Sequence, residues 1–191
     1  MALAGVVPFK HEAEAGATLY WRLRGHRQTG EAPPEPAVEQ EWRHQARQNA
    51  LDRWRRELIQ SGAAGQRAVG AVLPVINEWR DRGFGRVTYR TTQVLTGHGC
   101  FGDYLCRIGR EATPICHHCG AERDSAQHTL QHCPVFARAR HALECEVGPD
   151  LSPEAVVRAM LSGEDQWRAV TSFCEEVIAL KEEAERGREE S

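Results

Sequence analysis

Residues 116–134 read CHHCGAERDSAQHTLQHCP, and the reading of this stretch decides the fold. Cys116 and Cys119 are separated by two residues, so a tight turn can aim both sulfurs at one point. Gly120, directly behind them, supplies the backbone freedom such a knuckle needs. His128 follows after eight residues and Cys133 after four more, giving C-x2-C-x8-H-x4-C. Four soft or borderline donors at this spacing suit one tetrahedral Zn²⁺. His128 and His132 are also i and i+4 on a possible helix, which would make a Cys-Cys-His-His set. Cys133 is the preferred fourth ligand. Thiolate binds zinc tightly, and Pro134 pushes residue 133 out of helical geometry and lets it turn inward. Four protein ligands leave no open position for water, so the expected role is structural. The zinc deaminase pattern is excluded. Pro114 lies one residue too far from Cys116, and His98-Gly99-Cys100 lacks the glutamate that chemistry uses.

The segment ahead of the motif is basic. Between Trp79 and Arg110 stand Arg80, Arg82, Arg86, Arg90, Arg107 and Arg110, opposed only by Asp81 and Asp103. Trp79, Phe84, Tyr89, Phe101 and Tyr104 are interleaved. Arginine attracts phosphate and aromatic rings stack on bases, the pairing used to hold single strands. Arg80, Arg82, Arg86, Tyr89, Arg90, His98, Arg107 and Arg110 are therefore the candidate nucleic-acid contacts. Roughly four to six neutralised phosphates are expected. The competing reading is a solvated basic face around a core of aromatics.

Further out, nearly every segment reads as helix. His11 to Arg24 can form a first helix, with Leu19 and Leu23 one turn apart. Pro33, Pro34 and Pro36 then enforce an extended linker. Val38, Trp42, Ala46, Ala50, Trp54 and Leu58 recur every four residues as one apolar stripe of a helix reaching Gln60. Gly62 to Gly65 mark a turn. Val69, Val72, Leu73, Ile76 and Trp79 resume helical spacing around a kink or start at Pro74. Thr88 caps a short helix that stops at Gly97, and Phe101 to Ile108 form a further turn or helix. Val135 to Leu143 is helical. Ser152-Pro153 starts another helix. The last helix runs from about Glu164 past Leu180 and buries Trp167, Val170, Phe173, Cys174, Val177, Ile178 and Ala179. The charged end from Lys181 onward is expected to fray. The expected fold is mainly α, a helical arm and bundle around a small CCHC knuckle. Its segments are 1–30 (helical junction), 31–37 (Pro-rich linker), 38–86 (helical arm), 87–145 (basic segment with knuckle) and 146–191 (terminal helices).

Composition sets outer limits. The chain has 191 residues, 41% of them hydrophobic and 27% charged, with a net charge of −3. That is an ordinary soluble composition, and it does not announce a polyanion binder. Only Lys10 and Lys181 are lysines among the 24 basic residues. The arginine bias suits bidentate phosphate recognition, or reflects a GC-rich coding sequence. No apolar run is long enough to span a bilayer. Residues 1–9 lack the basic start of a signal peptide. Seven cysteines, an odd number, argue for a reducing compartment, nuclear or cytoplasmic rather than secreted. Cys100, Cys106, Cys145 and Cys174 read as small buried hydrophobes.

Two runs together carry a resemblance: Thr92-Gln93-Val94-Leu95-Thr96-Gly97-His98-Gly99, followed by Phe101 and Tyr104-Leu105, and the metal motif closing on His128-Thr129-Leu130 and Cys133-Pro134. They resemble the carboxy-terminal region of insect non-LTR (LINE-type) retrotransposon proteins, nearest the type-1 elements that insert into ribosomal RNA genes. Leu3 to Pro8 also looks like the junction after their reverse transcriptase, so the resemblance covers nearly the whole chain. It implies a zinc-knuckle tail that grips element RNA or target DNA during target-primed reverse transcription. It also implies the ligand set Cys116, Cys119, His128 and Cys133, which favours Cys133 over His132. The polymerase signature Tyr-x-Asp-Asp is absent, and no convincing nuclease carboxylate set is present. The expected chain is non-catalytic, a tail partnered by RNA or DNA and by an upstream reverse transcriptase domain. The alternatives are a protein-interaction module that docks on the reverse transcriptase, and an orphan gene derived from the element.

Overall fold

A computed structural model describes residues 2–30, 32–60 and 65–190, and among these it is all-helical, with nine α-helices and no strand. The turn expected over Gly62–Gly65 lies outside the described residues except for Gly65, as does Glu31 of the linker. Contacts divide the chain into two units, Gly5–Gly62 and a larger one of Ala2–Ala4 with Ala63–Ser191. That boundary falls inside the 38–86 arm, and it places the 87–145 and 146–191 segments in one unit.

The first unit is a helical hairpin of α1 (Phe9–Gln28) and α2 (Pro36–Gln60). Both helices are longer than the apolar pattern suggests. Pro36 sits at the first helical position, where its missing N–H costs nothing. Ala15, Ala46 and Ala50 are buried together, and their small side chains let the two helices approach closely. His11 is buried and pairs with Glu57 at 3.1 Å, while Arg53 reaches Glu14 at 2.6 Å across the hairpin. The exposed Arg53–Glu14 pair adds little stability. The expected stripe is graded: Ala46, Ala50 and Trp54 are buried, Trp42 and Leu58 half-buried, and Val38 exposed.

The second unit is built on α9 (Glu164–Glu189). Against it pack α5 (Tyr89–Thr96), α7 (Ala137–Val147) and α8 (Pro153–Ser162), and α3 (Gln66–Val72) packs on α8 and α5. α4 (Ile76–Asp81) follows α3 through a 3-10 turn at Leu73–Val75 that holds Pro74. α6 (Gly102–Arg107) precedes the metal motif. Two starts legible in sequence are present: Thr88 Oγ1 accepts from the Thr91 N–H at 3.1 Å, and Ser152 Oγ from Ala155 N–H at 3.4 Å. Trp79, Ile76, Val72, Phe101, Leu130, Leu143, Leu151, Met160 and Ile178 are all but fully buried. Each such side chain contributes about 1.5–3 kcal/mol.

α9 continues through the end that was expected to fray. Lys181 is 2% exposed, and Arg188 pairs with Glu111 at 2.9 Å. Among the described residues no helix is long and apolar enough to cross a membrane.

Candidate metal centre

The chain folds back on itself around the CxxC turn. Gly120 N donates to Cys116 O at 2.7 Å and Cys116 N to Ala121 O at 2.8 Å, with Gly120 at φ +76°. Asp124 N donates to Pro114 O at 2.7 Å, closing the loop. Residues His128–His132 then wind as one wide turn, in which Cys133 N donates to His128 O, five residues back, at 2.7 Å. Such π-type turns are rare and concentrate at functional sites. The turn ends because Cys133 takes an extended conformation (φ −60°, ψ 117°), as the following Pro134 requires.

This geometry brings one donor atom from each of Cys116, Cys119, His128 and Cys133 within 4.8 Å of one another. The Cys116 and Cys133 sulfurs are 4.0 Å apart, and Cys119 Sγ lies 3.3 Å from His128 Nε2. A tetrahedral ion with metal–sulfur bonds of about 2.3 Å would set such edges at about 3.6–3.8 Å. A disulfide would bring sulfurs to about 2 Å, and all seven cysteines are free. The group could therefore hold one metal ion. His132 is exposed and stands outside it, His117 is exposed beside Glu111 at 3.6 Å, and His118 is half-buried against Phe136.

Burial pushes the Cys116 thiol up to about 12, aided by the negative charge of Asp124. Burial also raises Cys133. Desolvation works the same way on Cys119, but the Ala121 amide and hydrogen bonds to the Cys116 and Cys133 sulfurs outweigh it, and the net shift is downward. Desolvation lowers His128, so its imidazole is neutral and ready to coordinate at neutral pH.

Two supports of the loop gave no sequence signal. The first is Asp124, which is buried and grips three separate elements. Its carboxylate takes Lys181 Nζ from α9 at 2.7 and 2.9 Å, Gly102 N from the start of α6 at 3.0 Å, and Thr129 Oγ1 from the wide turn at 3.4 Å. Lys181 is correspondingly not part of a solvated tail. The second is Arg140 of α7, whose guanidinium donates to the carbonyls of Leu130 (2.8 Å), Thr129 (3.3 Å) and Cys133 (2.6 Å). These are the carbonyls that a broken helix leaves without partners. The Asp124–Lys181 pair spans 57 residues, and Arg140 acts on main chain, so neither can be found by motif spacing.

The arginine flank is mostly spent inside the molecule. Arg80 holds Asp81 with two bonds, Arg90 holds Glu175 and Glu182, and Arg110 holds Glu185. Arg82 lies over Trp79 (4.3 Å) and Trp167 (4.9 Å) and donates to Trp79 O. Of the six arginines, these four are therefore tied within the second unit. Arg86, Arg107 and Tyr89 remain exposed, with Arg107 over the Tyr104 ring and His98 stacked on that ring at 4.8 Å. The Thr92–Gly99 run explains itself as a clasp. Gln93 is buried, donates to Glu182 at 2.8 Å and accepts from Cys100 N at 3.2 Å. Its amide lies where a side chain at Gly99 would sit, and Gly99 adopts φ +125°. Of the remaining cysteines, Cys100 and Cys174 are buried as expected, whereas Cys106 is half-buried and Cys145 exposed.

No protein family profile matches the chain, and no solved structure matches it significantly. It is 29% identical over 106 residues to the retrovirus-related Pol polyprotein from type-1 retrotransposable element R1 4 of Nasonia vitripennis, a stretch that is 56% of this chain and 27% of that protein. It is 38% identical over 52 residues to the corresponding R1 polyprotein of Bradysia coprophila, 27% of this chain and 5% of that protein. The chain thus spans a small part of these relatives, and the matches cover less of it than the motif resemblance suggested. What they establish is a distant, partial similarity to R1 non-LTR retrotransposon Pol polyproteins in a chain that also carries a Cys-Cys-His-Cys cluster.

Proposed function

We propose that this chain is a non-catalytic, zinc-holding tail of a retrotransposon-type reverse transcriptase polyprotein, and that it grips element RNA or target DNA during target-primed reverse transcription. The observation that carries the reading is the clustering of one donor atom each from Cys116, Cys119, His128 and Cys133 within 4.8 Å, in a chain similar to Pol polyproteins. Three thiolates and an imidazole fit one Zn²⁺, and four protein ligands make it structural. Bound there, the ion fixes the knuckle and the wide turn. Charge and stacking on the surface do the gripping.

The contacts that remain on the second unit are Arg86, Tyr89 and Arg107. A hollow of about 430 Å³, lined by Tyr89, Thr92, Gln93, Thr96, His98 and Tyr104, is the place for an unstacked base. Two free arginines mean about two phosphates on this face, fewer than the four to six expected from sequence. The test is the salt dependence of binding to single-stranded RNA and to duplex DNA. Arg86→Gln with Arg107→Gln should weaken single-strand binding and flatten its log–log salt slope by about 1.4. A wild-type affinity indifferent to salt would sink the proposal.

A second reading has one observation in its favour. With Arg80, Arg90 and Arg110 ion-paired, a groove of about 630 Å³ beside Phe84 and Trp167 is more apolar than a phosphate track. That groove suits a zinc-stabilised module docking on the upstream reverse transcriptase domain. Salt-insensitive binding to that domain, with no RNA binding, would favour it.

A further inference from the structure

The first unit carries a cationic aromatic surface that the motifs do not mark. From Ala15 to Gly30 the sequence contains no carboxylate, while Arg22, Arg24 and Arg27 fall within six positions of one another. The other half of α1 is different, with Lys10 paired to Glu57 and Glu14 to Arg53. Among the described residues Arg22, Arg24 and Arg27 enter no ion pair, in contrast to Arg80, Arg90, Arg110, Arg123 and Arg188 of the second unit. Beside them stand Tyr20 and Trp21, 55% and 61% exposed, edge to face at 5.2 Å. The Arg24 guanidinium lies 5.1 Å from the Trp21 ring and donates to Tyr20 Oη at 3.4 Å. Arg22 covers Trp42 of α2 at 4.2 Å.

Arginines near a helix C-terminus gain a little from the helix dipole, about 0.3–1 kcal/mol each. Of the three only Arg27 lies in the last turn of α1, so the dipole accounts neither for Arg22 and Arg24 nor for a tryptophan and a tyrosine left in water next to them. Large rings held at the surface, with guanidinium groups already placed on them, form a platform on which a flat aromatic ligand can stack while its charge is neutralised. Within Ala15 to Gly30 no carboxylate competes for these arginines, so their charge is open to an anionic ligand. Bases are stacked and unavailable in a duplex, so exposed rings are of use only against an open strand. We infer that the second half of α1, with Tyr20, Trp21, Arg22, Arg24 and Arg27, is a second contact for single-stranded nucleic acid. It belongs to the first unit, which contributes none of the four metal-site residues, and it does not depend on the metal reading.

The experiment uses the full chain, wild type and three variants: Arg22→Gln/Arg24→Gln/Arg27→Gln, the same three changed to Lys, and Trp21→Ala. All substituted positions are exposed, and circular dichroism checks that helicity is kept. Binding of a labelled oligouridine is followed by anisotropy across a salt series, and tryptophan emission is recorded alongside. The Gln variant should lose about tenfold in affinity and flatten the salt slope by about 2, since each single-strand phosphate contributes about 0.7. The Lys variant should keep the slope. Trp21→Ala should lose about tenfold and most of the emission quenching that oligouridine causes. Unchanged affinity and slope in the Gln variant overturn the inference and make the patch a protein contact. Stronger binding to duplex than to single strand overturns it too. Arg86→Gln/Arg107→Gln run in parallel separates the two faces: loss there with no loss on α1 leaves the metal-unit reading standing and removes only this one.

Discussion

At residue 133 two effects act in the same direction. Pro74 and Pro134 both interrupt helical segments, but only Pro134 does so directly after a thiol, and the extended backbone at Cys133 turns that sulfur to within 4.0 Å of Cys116. His132, one residue earlier, is carried outward by the wide turn and stays in solvent. Removing the inward thiol should therefore cost metal, and removing the outward imidazole should not. Chain expressed with zinc should retain one equivalent as His132→Ala, while Cys133→Ser should lose affinity by more than about 100-fold, the upper range seen even for supporting residues. Metal content by atomic absorption, before and after dialysis, reads this directly. Full retention in Cys133→Ser would transfer the fourth position to another donor. This part of the site was legible because spacing within 18 residues and one proline decide it. The fate of the arginines was not, because Glu175, Glu182 and Glu185, which take up Arg90 and Arg110, lie more than seventy residues away.

At the scale of elements, helix identity followed from period and caps, while helix ends did not. α5 and α8 begin at Thr88 and Ser152 as their caps dictate, because capping is a local contact. α9 outran its expected length because a lysine followed by glutamates looks solvated in sequence. In the fold that lysine is the buried partner of Asp124, and Arg188 is engaged by Glu111. The Asp124–Lys181 pair ties the loop between Cys119 and His128 to α9, and through Gly102 to the start of α6. Truncating one partner leaves the other charge buried and uncompensated, which typically costs about 3–5 kcal/mol. Lys181→Met should lower the urea midpoint accordingly and loosen zinc. Pairing it with Asp124→Asn should recover part of the loss, since an amide oxygen can still accept from Gly102 N and no net charge is left inside. A Lys181→Met chain with wild-type stability would show that α9 does not support the metal loop.

At the scale of the molecule, the two units differ in what a metal can do for them. The first has no part of the CCHC group and holds its hairpin by the Ala15, Ala46 and Ala50 seam. The second contains the group, but it also buries Trp79, Phe101, Leu143, Met160 and Ile178. Isolated zinc fingers are unfolded without metal, with about 10–16 kcal/mol of apparent binding energy coupled to folding. Here the knuckle is docked on a helical core, so chelation should lower the melting temperature of the second unit and leave most of the helical signal in place. The pH dependence follows from the thiols. Burial holds Cys116 up at about 12 and raises Cys133 above the ordinary 9, so both are protonated at neutral pH when no metal is bound. Coordination must expel both protons, whereas His128, shifted below its ordinary 6.5, has none to give at pH 7. Zinc affinity should therefore rise with pH, with at least two protons released per ion near neutrality, or about 100-fold per pH unit. It should be lost on acidification, steepening further once His128 protonates. Competition with a chromophoric chelator from pH 6 to 8 measures the slope, and a slope near zero would mean that these thiols are not the ligands.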